Sequence, residues 1–426
     1  MKKVLIITYY WPPAGGPGVQ RVLKFAKYLP DFGWQPIILT VRKGNFPSVD
    51  TELEKEIPES CKVFKTDIFE PFEFYNSLKG NSSKEKIPTF VLNKSKNEKL
   101  IDKAIRWIRA NVFVPDAKIG WIKHMVNEGS KIINIEKPDL IFSSSPPHSL
   151  QIGAMKLAAK TNLPWVADFR DPWTDAFWQK DIRRIPFSIY RDKNYEKSVL
   201  NSANSIITIS KSIAKDFEKN THTKVNTISN GFDEDDFRYT KKRNPKFSIC
   251  YTGTLGKDQS LSGFIKSLES LPDNIKENID INLIGSFHPT IMDMISASQT
   301  KSIFHIKDSV LHSESTRLIS NADMLLLIIP DTKNNKGILT GKIFEYLATK
   351  NPILGYGPID GDAAEILNQT NCGKMFEHGD KCTEYILQTF ANWEKEIPFN
   401  PDSDFISQYS RKSLTQALAR IFSEMT

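Results

Sequence analysis

Apolar runs of strand length alternate with helix-length amphipathic stretches along both halves of this chain, and that alternation constrains the fold more than any single motif. In the first half, Lys3 to Thr8, Pro36 to Thr40, Leu140 to Ser143, Trp165 to Asp168 and Ser205 to Ile209 read as strands; in the second, Phe247 to Tyr251, Ile279 to Ile284 and Met324 to Ile329 do. Helical patterns such as Val19 to Asp31, Ser149 to Thr161 and Ser260 to Ser270 lie between them. Strands separated by helices pair in parallel, so the pattern predicts an α/β chain built on doubly wound parallel sheets. At 426 residues the chain exceeds the size at which one hydrophobic core stops growing, which predicts two domains. The polar, basic stretch Arg238 to Lys246, just before a new strand, sets the expected boundary at 1–238 and 239–402.

A composition of 40% hydrophobic and 25% charged residues is that of an ordinary soluble protein. The four cysteines, Cys61, Cys250, Cys372 and Cys382, lack metal-ligand spacing and are too few for a disulfide framework, so a reducing cytoplasm is the expected location. The first apolar run ends at Trp11-Pro12-Pro13 without a small-residue cleavage site and reads as a buried strand rather than a signal peptide. No apolar run approaches the roughly 20 residues that span a bilayer, so any membrane contact is expected to be peripheral. The charge is unevenly placed. Lys79 to Met125 carries 11 Lys and Arg against 4 Asp and Glu, a surplus equal to the +7 of the whole chain. Within it, Asn97 to Asn111 puts Leu100, Ile101, Ala104, Ile105 and Ile108 on one helical face and Lys99, Lys103 and Arg106 on another, with Trp107 near the boundary. Two readings stay open: a helix lying on an anionic membrane, or a basic solvated face on a core-packed helix. Asn76 to Asn97, rich in Lys and Ser, reads as a loop. No aromatic-studded RNA motif or recognition helix is visible, and nucleic acid is not an expected partner.

The segment Gly337-Ile-Leu-Thr-Gly-Lys-Ile-Phe-Glu345, followed by Asn351-Pro-Ile-Leu354, places one carboxylate in an otherwise apolar helix start. It follows the strand ending near Ile329 and a polar loop, Pro330 to Lys336. In open parallel sheets, ligands sit at the carboxyl ends of strands, where loops feed helix N-termini. A nucleotide fits: N-H groups take phosphate or sugar oxygens, and Glu345 accepts from two ribose hydroxyls. The competing reading is a Glu paired with Lys342 three residues earlier.

With the rest of the chain, this segment resembles the nucleotide-sugar site of family 4 glycosyltransferases, a retaining group with the GT-B fold. The resemblance implies two Rossmann-like domains facing each other across a cleft, with a last helix, here 403–426, returning to the first domain. Family members carry two glutamates eight positions apart; Glu345 matches the second, and Gly337 stands at the first. Sugar contacts therefore fall to the backbone around Leu339, Thr340 and Gly341. In Tyr251-Thr-Gly253-Thr254-Leu-Gly256-Lys257, the family's Arg after the first glycine is Thr254, which leaves Lys257 as the cation for the leaving diphosphate and Lys342 as a second. Gly285 and the loop Lys307 to His312 occupy places where the family holds the nucleotide.

Two loops of the first half complete the expected site. Gly15-Gly16-Pro17-Gly18-Val-Gln-Arg21 opens a helix after the first strand; it lacks the third glycine of a dinucleotide fingerprint, and the next strand ends in Arg42-Lys43 without the expected acid. Its glycines let backbone approach a phosphate or sugar, and the resemblance puts it over the donor diphosphate. Asp168-Phe-Arg170-Asp171-Pro-Trp173 ends an apolar strand with two acids and an Arg. Asp168, Arg170 and Asp171 are the candidate catalytic residues with Lys257, and the flanking tryptophans suit sugar stacking. The alternative is an Arg-Asp cluster that pins the loop. Family members often carry a His at the position of Arg170, so no imidazole role transfers there. His148, in Ser143-Ser-Ser-Pro-Pro-His148-Ser149, and Trp173 are the acceptor-side candidates, although a helix cap at Ser149 accounts for much of that segment. Asp233-Glu-Asp235 imitates a metal-binding acid pair, but acids after Asn230-Gly231 suit the first turn of a short helix, and no other cluster has metal-ligand spacing. The resemblance thus implies retaining transfer from a nucleotide diphosphate sugar, with no cofactor, to a glycan or lipid-linked acceptor in surface polysaccharide synthesis, and the lack of metal-ligand spacing predicts that it is metal-independent. A nucleotide-sugar 2-epimerase and a non-catalytic sugar-binding partner are the alternatives.

Overall fold

The computed structural model describes residues 1–69, 107–176 and 183–426. They form two compact units, one of Met1–Ser229 with Leu414–Thr426 and the other of Asn230–Ser413. The first carries a seven-stranded sheet of β1 (Lys2–Thr8), β2 (Trp34–Val41), β3 (Lys62–Thr66), β4 (Leu140–Ser145), β5 (Trp165–Phe169), β6 (Ser205–Thr208) and β7 (Val225–Thr227), in the order β3-β2-β1-β4-β5-β6-β7. The second carries β8 (Phe247–Leu255), β9 (Ile279–Phe287), β10 (Phe304–Lys307), β11 (Met324–Ile328), β12 (Ile353–Tyr356) and β13 (Gly373–Phe376), in the order β10-β9-β8-β11-β12-β13. All strand pairs in both sheets are parallel.

Both sheets are covered on both faces, which explains why their central strands are apolar without alternation. In β1, Leu5 and Ile7 enter one core and Val4 and Ile6 the other. In β11, Met324, Leu326 and Ile328 point to one side and Leu325 and Leu327 to the other. Each sheet reverses its winding once, between β1 and β4 in the first unit and between β8 and β11 in the second. Loops at such a switch point diverge and leave a crevice at the carboxyl ends of the strands.

The division between units lies at Ser229 and Asn230, ahead of the polar stretch that set the expected boundary. Phe232 is the reason. It is buried among Ile284, Leu325 and Phe344 of the second core, and its backbone bonds to Tyr409 and Arg411. The return to the first unit starts at Leu414 rather than at residue 403, because Ile406 packs in the second core. From there Leu418 and Phe422 enter the first core, with Phe422 edge-on to Trp34 at 5.2 Å and to Phe142 at 5.5 Å. The four cysteines are buried and free, and burial pushes the thiols of Cys61 and Cys250 up to about 12. Most of the basic helix expected at Asn97 to Asn111, and the loop Asn76 to Asn97, lie outside the described residues. Among the described residues, no helix is long and apolar enough to cross a membrane.

Candidate functional site

At the switch point of the second unit, β8 and β9 each carry, two residues before their last, a glycine whose backbone would strain any other residue: Gly253 has φ +116° and Gly285 φ +143°. A side chain on Gly285 would collide with the Gly253 carbonyl, and one on Gly253 would meet Lys342 Cε at 2.5 Å and Nζ at 2.8 Å. These glycines leave room for the Lys342 chain, which runs over Gly253 and places its ammonium 5.3 Å from the Tyr251 ring centroid. Lys342 lies in the first turn of the helix Gly341–Thr349, whose N-cap Thr340 makes no side-chain cap. The Thr340 hydroxyl is buried without a partner among the described residues. Leu339 is buried beneath the turn. Burial holds the Lys342 ammonium below the usual lysine range, against the opposing pull of Glu345. A cation, an uncapped helix N-terminus and a hydroxyl thus converge where backbone is bare, an arrangement suited to an anion.

Glu345 follows one turn later on the same helix. Burial pushes its carboxyl up, His312 and Lys342 pull it back, and Asp236 adds to the rise. His312 stands between two carboxylates, with Nδ1 4.0 Å from Glu345 Oε1 and Nε2 3.8 Å from Asp236 Oδ2. The sequence reading named the loop that ends at His312 but not this contact.

Lys257 and Thr254 are exposed. Their loop is tied down by Gln259, which accepts from Gly256 N at 2.8 Å and donates to Ile328 O at 2.9 Å, and by Tyr251, whose hydroxyl donates to Thr254 O. Of the two lysines considered for the diphosphate, Lys342 is the desolvated one beside the glycines. Asp233 Oδ1 accepts from the Asp235 backbone and caps the short turn Glu234–Phe237, while Asp235 pairs with Arg238.

In the first unit, the charged residues at the tips of β1, β4 and β5 form one network. Arg21 is fully buried and grips Asp168 with two bonds, Nη2 to Oδ1 at 2.7 Å and Nε to Oδ2 at 3.1 Å. Its Nη1 and Nη2 also donate to the carbonyls of Ser229 and Ile228. Ser144 donates to Asp168 Oδ2 at 2.6 Å and accepts from Arg170 Nη1 at 3.0 Å. Arg170 donates further to Pro146 O and Gly18 O, and a side chain on Gly18 would come 3.2 Å from its guanidinium carbon. Gly18, Asp168 and Arg170 are therefore brought together. Asp168, however, is 0% exposed with both oxygens engaged, which leaves it a positioning role rather than the substrate contact expected of it. Gly15 and Gly16 lie just ahead, Gly15 N bonding to Ser48 O and Gly16 sitting at φ +99° before the helix Pro17–Tyr28. Asp171, just after β5, is half-buried, its carboxyl pushed up by burial and drawn down by Arg170.

The flanking tryptophans are fully buried rather than presented on a surface. Trp165 and Trp173 are both core residues, and Trp173 donates to buried Asp192 at 2.8 Å. Trp173 instead supports His148, whose ring stacks on it at 4.9 Å and 8°. Burial depresses the His148 imidazole to about 3, so it is neutral, and its Nδ1 has no partner among the described residues. The helix Ser149–Thr161 is capped from a distance: Asp116 accepts from Ser149 N at 2.8 Å and from its hydroxyl at 2.7 Å. Only proximity in the fold reveals Asp116 and Ser144.

Residues 88–236 match the family model described as Glycosyltransferase Family 4. No curated protein sequence matches the chain. Among solved structures, sucrose-phosphate synthase from Thermosynechococcus elongatus is similar at TM-score 0.64 and 11% identity, covering 100% of this chain and 99% of its own. A glycosyltransferase from Rickettsia africae is similar at TM-score 0.59 and 15% identity, with 100% and 98% covered. Anabaena HepE in complex with UDP is similar at TM-score 0.61 and 14% identity, with 100% of both chains covered. At these identities the likeness is one of fold. Residues 88–236 are therefore similar to Glycosyltransferase Family 4, and the chain has the fold of the GT-B glycosyltransferases.

Proposed function

We propose that the protein is a retaining glycosyltransferase that takes a sugar from a nucleotide diphosphate donor to a hydroxyl acceptor. The observation that carries this reading is the desolvated Lys342 ammonium at the uncapped start of the helix Gly341–Thr349, above the backbone of Gly253 and Gly285. Anabaena HepE, similar in fold, is described in complex with UDP and with UDP-glucose, which supports a nucleotide-sugar donor here.

In this reading the diphosphate lies against Lys342 and the helix N-terminus, with ribose hydroxyls on Glu345. Sugar hydroxyls meet the backbone from Leu339 to Gly341. As the bond between the anomeric carbon and the phosphate oxygen breaks, charge accumulates on the diphosphate, where a fixed ammonium and helix dipole stabilise the transition state more than the ground state. The acceptor oxygen then bonds to the anomeric carbon on the face the phosphate leaves, and its proton passes to a phosphate oxygen. No protein nucleophile is required. In the first unit, Arg170 and Asp171, with neutral His148 on its Trp173 platform, are the groups assigned to the acceptor. A lipid-linked or glycan acceptor in surface polysaccharide synthesis fits the concentration of basic charge from Lys79 to Met125.

The test is incubation with a panel of UDP-, GDP- and ADP-sugars and an alcohol acceptor, followed by NMR of the new glycosidic bond. Transfer with the donor's anomeric configuration is the expected result; inversion overturns the mechanism. A second reading, donor binding without transfer, is favoured by Gly337 where the family carries a glutamate, and tight donor binding with neither transfer nor hydrolysis would establish it.

A further inference from the structure

Three elements of the second unit pack on one another, and each brings one titratable side chain to the same spot. The turn Glu234–Phe237 brings Asp236, the helix His312–Asn321 brings its first residue, His312, and the helix Gly341–Thr349 brings Glu345. The imidazole lies between the two carboxylates, 4.0 Å from Glu345 at Nδ1 and 3.8 Å from Asp236 at Nε2. Each ring nitrogen thus faces an acid. A ring protonated on both nitrogens meets both charges, whereas a neutral ring has one N-H to offer. The side chains of Glu345 and His312 are 29% and 42% exposed, so a ligand can reach the carboxylate while the ring stays beside it.

The neighbouring charges give His312 a task of its own. Burial works against the Glu345 carboxylate and Asp236 adds a like charge, while His312, Lys342 and Arg411 oppose them, His312 foremost. Glu314, beside His312 on its own helix, pairs with Arg317 at 3.9 Å. Cys250 of β8, which packs against that helix, is buried and uncharged. In the donor reading the charge of Lys342 is taken up by the diphosphate. His312 is then the strongest opposing charge that the diphosphate does not claim. We infer that His312 is a positioning residue for the nucleotide: as an imidazolium braced by Asp236, it keeps Glu345 ionised and aimed at the ribose hydroxyls. This role rests on the donor reading and adds to it a residue that acts through Glu345 without touching the ligand. It is visible in the pH dependence. Glu345 accepts from ribose only when ionised, and without the imidazolium burial would push its carboxyl up further, so nucleotide affinity would be lost at a higher pH.

The test is calorimetric titration of the full chain with UDP from about pH 5 to about pH 8, the range in which an imidazole changes charge. His312→Gln should move the acid limb of the affinity to higher pH and weaken UDP binding about threefold on that limb, the scale of a partly exposed ion pair. His312→Lys, which keeps a cation, should bring the limb back. The double variant of His312→Gln with Glu345→Gln should bind UDP no more weakly than Glu345→Gln alone. A second measurement needs no nucleotide: in NMR of the chain labelled in its histidine rings, the His312 signal, assigned by its absence in His312→Gln, should lose its proton at a lower pH in Glu345→Gln and in Asp236→Asn than in the wild type. An unmoved acid limb in His312→Gln, or an unmoved ring signal in both acid variants, would overturn the proposal. So would losses that add in the double variant, since the ring would then touch the nucleotide itself. If Glu345→Gln leaves UDP affinity unchanged, the ribose reading falls and this role with it; if Glu345→Gln weakens binding and His312→Gln does not, this role falls alone.

Discussion

Arg21 and Asp168 lie 147 positions apart in sequence and form a fully buried, two-bond ion pair at the tips of the first sheet. Removing one partner strands the other's charge in the core. Breaking such a pair costs about 3–5 kcal/mol, so Arg21→Met and Asp168→Ala should each lower the urea midpoint of the first unit sharply. A loss below about 1 kcal/mol would mean that water reaches the pair.

The two lysines should separate in function. Lys342→Ala should weaken UDP binding tenfold or more, since a charge-assisted bond contributes about 1.5–3 kcal/mol, whereas Lys257→Ala, an exposed change, should have the smaller effect on both binding and turnover. Calorimetric titration with UDP decides it. A larger effect at Lys257 would move the diphosphate to the loop after β8.

Glu345→Gln should weaken nucleotide binding, and the wild type should show why. Its carboxyl is pushed up by burial, so it gains a proton at a higher pH than an exposed Glu. Ribose hydroxyls need the ionised acceptor. UDP affinity should therefore fall as pH drops through the raised value of Glu345, and the Gln variant should lack that component. Parallel affinity profiles for the two proteins would remove Glu345 from the ribose.

Transfer should persist in EDTA. Asp233 and Asp235, the acids that imitate a metal pair, serve as a cap and an ion-pair partner. Activity lost to the chelator and restored by manganese or magnesium would return them to a ligand role.

The segment Lys79 to Met125 should bind anionic vesicles and release them in salt. Each Lys or Arg near an anionic surface contributes about 1 kcal/mol. Trp107, Ile108 and Val112, at the described edge of the segment, are exposed. Co-sedimentation with anionic and neutral liposomes across ionic strength measures this; equal recovery on both would leave the segment an ordinary solvated surface.

The strands that the sequence revealed are the interior ones, and the reason is physical. β11, flanked by β8 and β12 and covered on both faces, must be Met-Leu-Leu-Leu-Ile. β3, β7, β10 and β13 went unread, and they are the four sheet edges, short and partly exposed, as in Lys-Val-Phe-Lys-Thr of β3. Within the candidate site, the glycines and Lys342 were legible because strand, loop and helix are contiguous there. Asp168 was placed at the right strand end, but its partner Arg21 is supplied by the helix after β1. Nothing local to Trp173 tells a ligand platform from a core residue whose indole reaches Asp192.

The return of Leu414 and the residues after it to the first unit makes the second unit, in effect, an insertion within the first. A ribosome delivers Val4, Trp34 and Phe142 long before Phe422, which packs with them in the finished core. The first unit must therefore wait, incomplete, while the whole of the second is made. Its core closes only once Phe422 has been delivered, and Phe422→Ala would damage the unit that was translated first.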